Sequence, residues 1–451
     1  MRMISHILAA FALLALATQP VAAQSILRDA ETEALLQDLL DPLAEAAGMN
    51  AGDVDVVLID DSSINAFVAG GQRIYVHTGL IAEADTANEV QGVLAHELGH
   101  ITGGHILRFS EGAGNATRIT ILSTLAGIAA ALAGGGEAAM GVIALGQQAA
   151  MGSFLAFNRT QEASADAAGV QYLSGAGISG KGTLEFFRKL QNYEFRRNIN
   201  QNDDQEYART HPLSGNRISN LRADYEADPA WDTPPDPEEQ KRFERIKAKL
   251  YGYKSTPERT LAAFPTYMNT VPARYARAYA YHKDALVDKA LEEADGLLAL
   301  EPENPYFLEL KGQILLESGR PLDALPPLRQ SVLLTGADPL ISPMLGHALI
   351  ATEDPSYLDE AEQVLRAAVG RDHENPFAWY QLGIVYGQRG DIPRARLASA
   401  EQQIMSGNPR MALQNATAAE SALPTGTPDW IRAQDVALQA RAQIEQAEER
   451  H

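Results

Sequence analysis

Apolar residues recur at helical intervals from Val90 through Val93, Leu94 and Leu98 to Ile101, which predicts an amphipathic helix starting near Ala87 and loosening at Gly103-Gly104. Thr86-Ala87-Asn88-Glu89 has the spacing of a capping box at its start. Upstream, Ile64 to Ala69 alternates weakly and ends in Gly70-Gly71, the pattern of a short strand with an exposed edge. Downstream, a second helix is expected from Asn158 to about Leu173, stopping at Gly175. Between the two helices, Ile119 to Ala133 is almost wholly small and apolar. Gly134-Gly135-Gly136-Glu137 then interrupts, and Ala138 to Phe157 is apolar again apart from Gln147 and Gln148. This segment, 119–157, reads as a helical hairpin packed over a cleft and within reach of a membrane surface. Its first arm is short and its second is broken by glycines and glutamines, which disfavours a membrane span.

The pattern changes after residue 226. Ala227 to Pro237 is rich in proline and acid and is expected to be an extended, exposed connection. A charged helix follows from about Glu238 to Leu250, and beyond it the chain repeats. Ala290, Ala324, Ala361 and Ala395 are separated by 34, 37 and 34 residues, Gly312, Gly346 and Gly383 by 34 and 37, and Pro305, Pro339 and Pro376 mark boundaries. A period near 34 with small residues at fixed places is that of helix pairs crossing closely, as in tetratricopeptide repeats. The repeats extend from about Pro272 to Met405, with Ile431 to Glu449 as a terminal capping helix. The expected division is a signal peptide over 1–23, a first domain over 24–255 and a repeat domain over 256–451.

Composition narrows the class. At 451 residues and 45% hydrophobic, the chain has enough apolar material for two domains. A formal charge of −21 repels phosphate backbones and anionic lipid, so nucleic acid is excluded as a partner and membrane contact is at most peripheral. Arg2, an apolar run from Ile7 to Ala17 and the small residues Val21-Ala22-Ala23 have the form of a cleavable secretory signal, leaving Gln24 as the new N-terminus. The chain has no cysteine, which excludes disulfides and a thiol nucleophile.

Candidate chemistry lies on the first helix. In His96-Glu97-Leu98-Gly99-His100 the two histidines are four apart and share a face, so both rings aim at one point, where a zinc ion would sit. Glu97 lies beside that face as a general base for water. A catalytic zinc takes three protein ligands and keeps one position open. On the second helix Glu162 and Asp166 are also four apart, so Glu162 is the third ligand and Asp166 the acceptor for the free ring N–H of a ligating histidine. Ala163, Ala165, Ala167 and Ala168 would let the two helices approach closely. The edge strand around Asn65, Ala66 and Phe67 is placed to receive an extended substrate backbone as an added strand.

These residues, with His105 and Arg108, then Thr210-His211-Pro212 and Arg217, and the upstream segment Asn65 to Leu80, resemble the gluzincin metallopeptidases related to CAAX prenyl endopeptidase and HtpX over most of residues 26–255. The resemblance implies a mainly α (α+β) fold: a helical metallopeptidase domain with a small β-sheet, followed by an all-α repeat solenoid. It implies one Zn2+ per chain held by His96, His100 and Glu162, Glu97 activating water, and His211 and Arg217 approaching from a later loop. There His211 either steadies the developing oxyanion or takes the fourth zinc position at rest, and His105 is structural. A gluzincin domain joined to exported repeats further resembles the BepA-type branch. That implies a periplasmic endopeptidase for unfolded or misassembled polypeptides, outer-membrane β-barrel proteins among them, with a protein partner in the repeat groove. The alternative it leaves open is a chaperone or assembly factor working through the repeats with its protease site self-inhibited.

Overall fold

The computed structural model describes residues 26–132, 136–196, 211 and 215–449. The signal peptide expected over 1–23, the tip residues Gly134-Gly135 and the residues flanking His211, Thr210 and Pro212, lie outside them. The chain divides into two compact units, one comprising residues up to Leu27 and Leu39–Pro234, the other Arg28–Asp38 and Pro235–His451.

In the first unit three strands, β1 (Asp55–Ile59), β2 (Ala66–Val68) and β3 (Arg73–His77), form a sheet in the order β1-β3-β2. β1 runs parallel to β3, pairing Val57 with Tyr75, while β2 runs antiparallel, pairing Phe67 with Tyr75. The tight β2–β3 reversal needs positive φ at two successive residues, and Gly70 (64°) and Gly71 (105°) supply it. β2 is therefore an edge of this sheet. Helix α1 (Ala30–Ala46) precedes the strands and α2 (Thr78–Glu83) follows them.

The predicted first helix is α3 (Ala87–Thr102), capped by Thr86, whose hydroxyl accepts from the Glu89 N–H at 3.2 Å. The return bond of the capping box shifts by one residue: the Glu89 carboxylate accepts from Asp85 N–H at 2.9 Å. Its residues Ala87 to Gly99 are all buried, so α3 is a core helix and not a half-exposed one. Two long helices follow, α4 (His105–Leu132) and α5 (Gly136–Gly175). The sequence reading separates the second hairpin arm from the helix carrying Glu162, but α5 is one continuous helix of 40 residues. Nothing between Phe157 and Glu162 breaks the backbone ladder, and Gly146 on α5 faces Ser123 on α4 at their close approach. The arms pair with each other, and their outward faces are exposed instead of lying over the rest of the unit. Helices α6 (Lys181–Arg196) and α7 (Gly215–Glu226) complete the unit.

α3 and α5 cross where Gly99 meets Ala165: a Cβ on Gly99 would lie 2.6 Å from the Ala165 carbonyl oxygen. Of the four alanines expected at this contact, Ala165 is fully buried there and Gly169 packs beside Ala95, whereas Ala163 and Ala167 face solvent and Ala168 is half-buried. A 100° step per residue lets only one of these alanines point at the crossing. The acidic, proline-rich connection also differs from expectation. Residues 227–232 form turns, Ala230 is buried, and Trp231 lies under the Lys181 ammonium while its carbonyl accepts from Ser179 Oγ at 2.7 Å.

The second unit begins with α8 (Pro237–Lys254), capped by Asp236. This helix packs with the repeat unit, so the boundary falls near Pro235 and not at 255. After α9 (Pro257–Ala263) come five antiparallel helix pairs. They are α10 (Val271–Lys283) with α11 (Val287–Leu300), α12 (Pro305–Glu317) with α13 (Pro321–Leu334), α14 (Ser342–Ala351) with α15 (Leu358–Arg371), α16 (Pro376–Gln388) with α17 (Ile392–Met405), and α18 (Pro409–Ala422) with α19 (Pro428–Glu449). Gly346 shows why the small residues recur, since a Cβ there would meet Leu365 of the paired helix at 2.6 Å. Ala290, Ala324 and Ala361 are buried at the equivalent crossings, but Ala395 is half-buried and Ala398, one turn later, takes its place. Pro305 and Pro376 open their helices, while in the third pair that role falls to Pro343, with Pro339 in the preceding turn.

A buried charge cluster anchors the start of α1 inside this unit. Glu31 accepts from Arg245 Nε at 2.6 Å and from the Tyr275 hydroxyl at 2.8 Å, and Lys249 Nζ lies 2.5 Å from Asp29 and 3.3 Å from Glu31. Burial pushes the Asp29 carboxyl up, but the Lys249 charge together with hydrogen bonds from Lys249 and Thr32 outweighs it and holds the group below its ordinary value. A depressed carboxylate pKa adds stability that is complete above the unfolded value and fades as pH falls through the folded one. Replacing Lys249 with Met should cost about 3–5 kcal/mol at neutral pH. The gap between wild type and variant should narrow below about pH 4, as measured by urea unfolding at both pH values.

Candidate active site

α3 presents the His96 and His100 rings on one face, with their Nε2 atoms 3.1 Å apart. The α3–α5 crossing brings Glu162 opposite, its carboxylate oxygens 3.4 Å from each of those nitrogens. His211 arrives from the segment before α7, its Nδ1 3.2 Å from His96 Nε2 and 3.1 Å from Glu162 Oε1. One ligand atom from each of these four residues lies within 4.8 Å of every other. Three imidazoles and a carboxylate converging in a buried pocket suit a borderline divalent ion such as zinc.

The rings are also held from behind. His96 Nδ1 lies 3.0 Å from Asp166 Oδ1, a contact that fixes the ring with Nε2 turned towards the other ligand atoms. His100 is oriented by a partner that sequence reasoning assigned no such role: its Nδ1 lies 2.9 Å from His105 Nδ1. Gly103-Gly104 turns the chain back so that a residue five positions later reaches the ring, with Gly104 at φ 61°. A histidine just beyond a helix-ending glycine pair was the available signal.

Arg217 joins the two carboxylates. Its Nη1 is 2.8 Å from Glu162 Oε2, and Nε and Nη2 grip Asp166 at 2.5 and 2.7 Å. The guanidinium stacks over Phe187 of α6 at 5.3 Å, and the same ring meets His96 edge-on at 6.4 Å. Arg217 is thus a positioning residue, tied to the acidic side of the pocket. Phe187 carries no sequence signal beyond being an apolar position on a helix.

Glu97 is the exception in this network. It is buried, and neither carboxylate oxygen has a hydrogen-bond partner among the described residues; His211 Nε2 stands 3.5 Å from Oε1. Burial pushes its carboxyl up to about 7, against the pull of the neighbouring histidines. For Glu162 and Asp166 burial acts in the same direction but is overcome, by hydrogen bonds from the three histidines for the first and from His96 and Arg217 for the second, so both stay below the carboxylate range. Burial opposes charge on His96, yet its bonds to Asp166 and Glu162 carry it up to about 9. Burial holds His100 and His211 low, and it takes His105, beside His100, down to about 4.

Of the expected substrate strand, Asn65 and Ala66 are buried and Phe67 is half-buried, stacked on Tyr75 at 5.1 Å. β2 packs beside α3, and Asn65 Oδ1 is buried without a hydrogen-bond partner among the described residues.

The profile of peptidase family M48 matches residues 30–224. Metalloprotease LoiP of Escherichia coli (strain K12) is 30% identical over 194 residues, covering 42% of this chain and 70% of its own. The chain belongs to peptidase family M48. The beta-barrel assembly-enhancing protease of Yersinia pestis is 24% identical over 417 residues, which is 88% of this chain and 82% of that protein. Among solved structures YrrB, a tetratricopeptide protein, matches 40% of this chain and 94% of its own at 22% identity with a TM-score of 0.32. That score carries no argument, and the repeat reading rests on the helix pairs themselves. As an M48 member the protein is a metalloprotease, and the His96, His100, Glu162 and His211 donor set is where its M48 metal would bind. Asp166→Asn should weaken metal affinity about 10–100-fold by releasing the His96 ring, measured by competition with a chromophoric chelator.

Proposed function

We propose that this protein is an exported zinc endopeptidase acting on unfolded or misassembled envelope polypeptides. The observation that carries the reading is Glu97: a buried carboxylate without a hydrogen-bond partner among the described residues, beside four converging ligand donors. Zinc, one ion per chain, would be held by His96, His100 and Glu162; when bound it supplies Lewis acidity that polarises a peptide carbonyl and makes water nucleophilic near neutral pH. Glu97 takes the proton of the attacking water and delivers it to the leaving amine, a task suited to a carboxyl whose pKa burial has raised. Asp166 and His105 hold the imidazoles in register, and Arg217 balances the Glu162 and Asp166 charges.

His211 supports a closed resting form. Its Nδ1 sits among the donor atoms and its Nε2 faces Glu97, so it fills the place a water or substrate carbonyl needs. Cleavage then requires His211 to leave that position. The same contacts favour the second reading, an assembly factor that works through its repeats while the protease stays silent.

Substrate would enter as a strand. The β2 edge at Asn65, Ala66 and Phe67 would offer main-chain groups beside α3. Main-chain recognition suits polypeptides with unpaired strands. The proposed substrates are outer-membrane β-barrel proteins and the proposed compartment the periplasm, a reading supported by relatives named for enhancing β-barrel assembly. The repeats would recruit either those substrates or a protein of their assembly machinery.

Glu97→Gln should lower cleavage of an unfolded model protein by about 10²–10⁴-fold with zinc stoichiometry unchanged. Cleavage that persists in this variant would refute the assignment. His211→Ala should raise basal cleavage above wild type, as followed by the rate of fragment appearance on gels; a fall instead would assign His211 to oxyanion stabilisation.

A further inference from the structure

Within the first unit, exposed large apolar side chains concentrate on the α4–α5 hairpin. Ile121, Leu122 and Leu125 on α4 and Met140, Leu145 and Met151 on α5 all face outward, with Leu122 67% and Met140 69% exposed. The apolar stretch of α5 that starts at Met140 passes the length and hydropathy test of a membrane helix, yet only 6% of it is buried, unlike the core helix of a soluble domain. Between Arg118 and Arg159 the chain carries one ionisable residue, Glu137. The hydroxyls on α4 are already satisfied by their own helix: Thr120 Oγ1 donates to Ala116 O, and Ser123 and Thr124 donate to Thr120 O. Such a surface needs no water.

We propose that this hairpin dips into an anionic bilayer without crossing it, with Arg118 at the level of the headgroups. Length decides between dipping and crossing. From Arg118 to Leu132, α4 rises about 21 Å, less than the roughly 30 Å of hydrocarbon that a spanning helix must cover. The Gly146–Ser123 approach sets the register of the two arms, which puts Met151 opposite Arg118. Gln147 and Gln148, the polar residues exposed on α5, then lie within about 6 Å of that level, where headgroups reach. Charge selects the lipid. Arg118 sits at that level to meet lipid phosphate, and Arg108 and Arg159, exposed about 15 and 12 Å further along their helices on the aqueous side, add positive potential above the surface in a chain whose net charge is −21. Because α5 is continuous, Glu162 lies about 16 Å along the helix from Met151. Seated this way, the metal centre lies close to the bilayer surface, where it meets segments emerging from the membrane. The seating does not depend on the proposed chemistry, and its test reads lipid binding alone.

The purified chain would be mixed with vesicles of phosphatidylethanolamine and phosphatidylglycerol and floated through a density gradient. Flotation is expected, and it should weaken with phosphatidylcholine vesicles and with added salt. The double variant Leu122→Asp, Leu145→Asp changes exposed positions only; it should keep its circular dichroism and metal stoichiometry while losing about tenfold or more of its partitioning. Leu125→Trp should be quenched by bromines placed along the acyl chains. Undiminished flotation of the double variant, or a tryptophan at 125 that acyl bromines do not quench, overturns the proposal. So does self-association without vesicle binding, abolished by the same double variant, which would make a second copy of this chain the occupant.

Discussion

The close crossing of α3 and α5 governs the rest of the first unit. Gly99 has no side chain, and the Ala165 carbonyl occupies the space where one would be. Any larger residue at either position would part the helices, because interiors are packed too tightly to absorb an extra methyl group without displacement. The crossing point lies between Glu162 and Asp166, which share a helix face four residues apart. One carboxylate therefore meets the ligand nitrogens of both histidines while the other meets the back of His96.

Within that frame the site is a balance of buried charge. Three carboxylates and three imidazoles in one pocket would be unstable unless each were paired. Glu162 and Asp166 are compensated by Arg217 and by histidine N–H groups, and the Arg217 guanidinium is in turn held over Phe187. Among the described residues Glu97 alone of the three is left without hydrogen bonds. A carboxyl whose pKa burial has raised to about 7 can take up and release a proton more readily than one paired as firmly as Glu162 or Asp166.

The same packing device, a small residue at a helix crossing, recurs through both units. Gly146 faces Ser123 in the apolar hairpin, Gly252 meets the Ala276 carbonyl and Gly346 meets Leu365. In the repeats it produces a stack of similar pairs whose cores differ mainly in their large residues, such as Phe307 and Leu310 in one cluster and Trp379 and Leu382 in another. In the first unit it produces one long helix that carries an exposed apolar end and a buried catalytic face on a single rigid rod.

The sequence by itself determined what depends on local spacing. Residues four apart share a helix face whatever surrounds them, so His96 with His100 and Glu162 with Asp166 were legible as pairs. A 34-residue period announced helix pairs because small residues are tolerated at crossings and bulky ones are not. Tertiary structure decided what depends on approach between distant segments. It chose Ala165 from four candidate alanines, turned the His105 ring onto His100, set Phe187 beneath Arg217, joined the hairpin arm and the Glu162 helix into one, and left the apolar faces of α4 and α5 uncovered. Periodicity states which side of a helix is apolar, but the rotation of that helix against its neighbour, set by side-chain packing over the whole contact, decides which residue of that side meets a partner and which meets solvent.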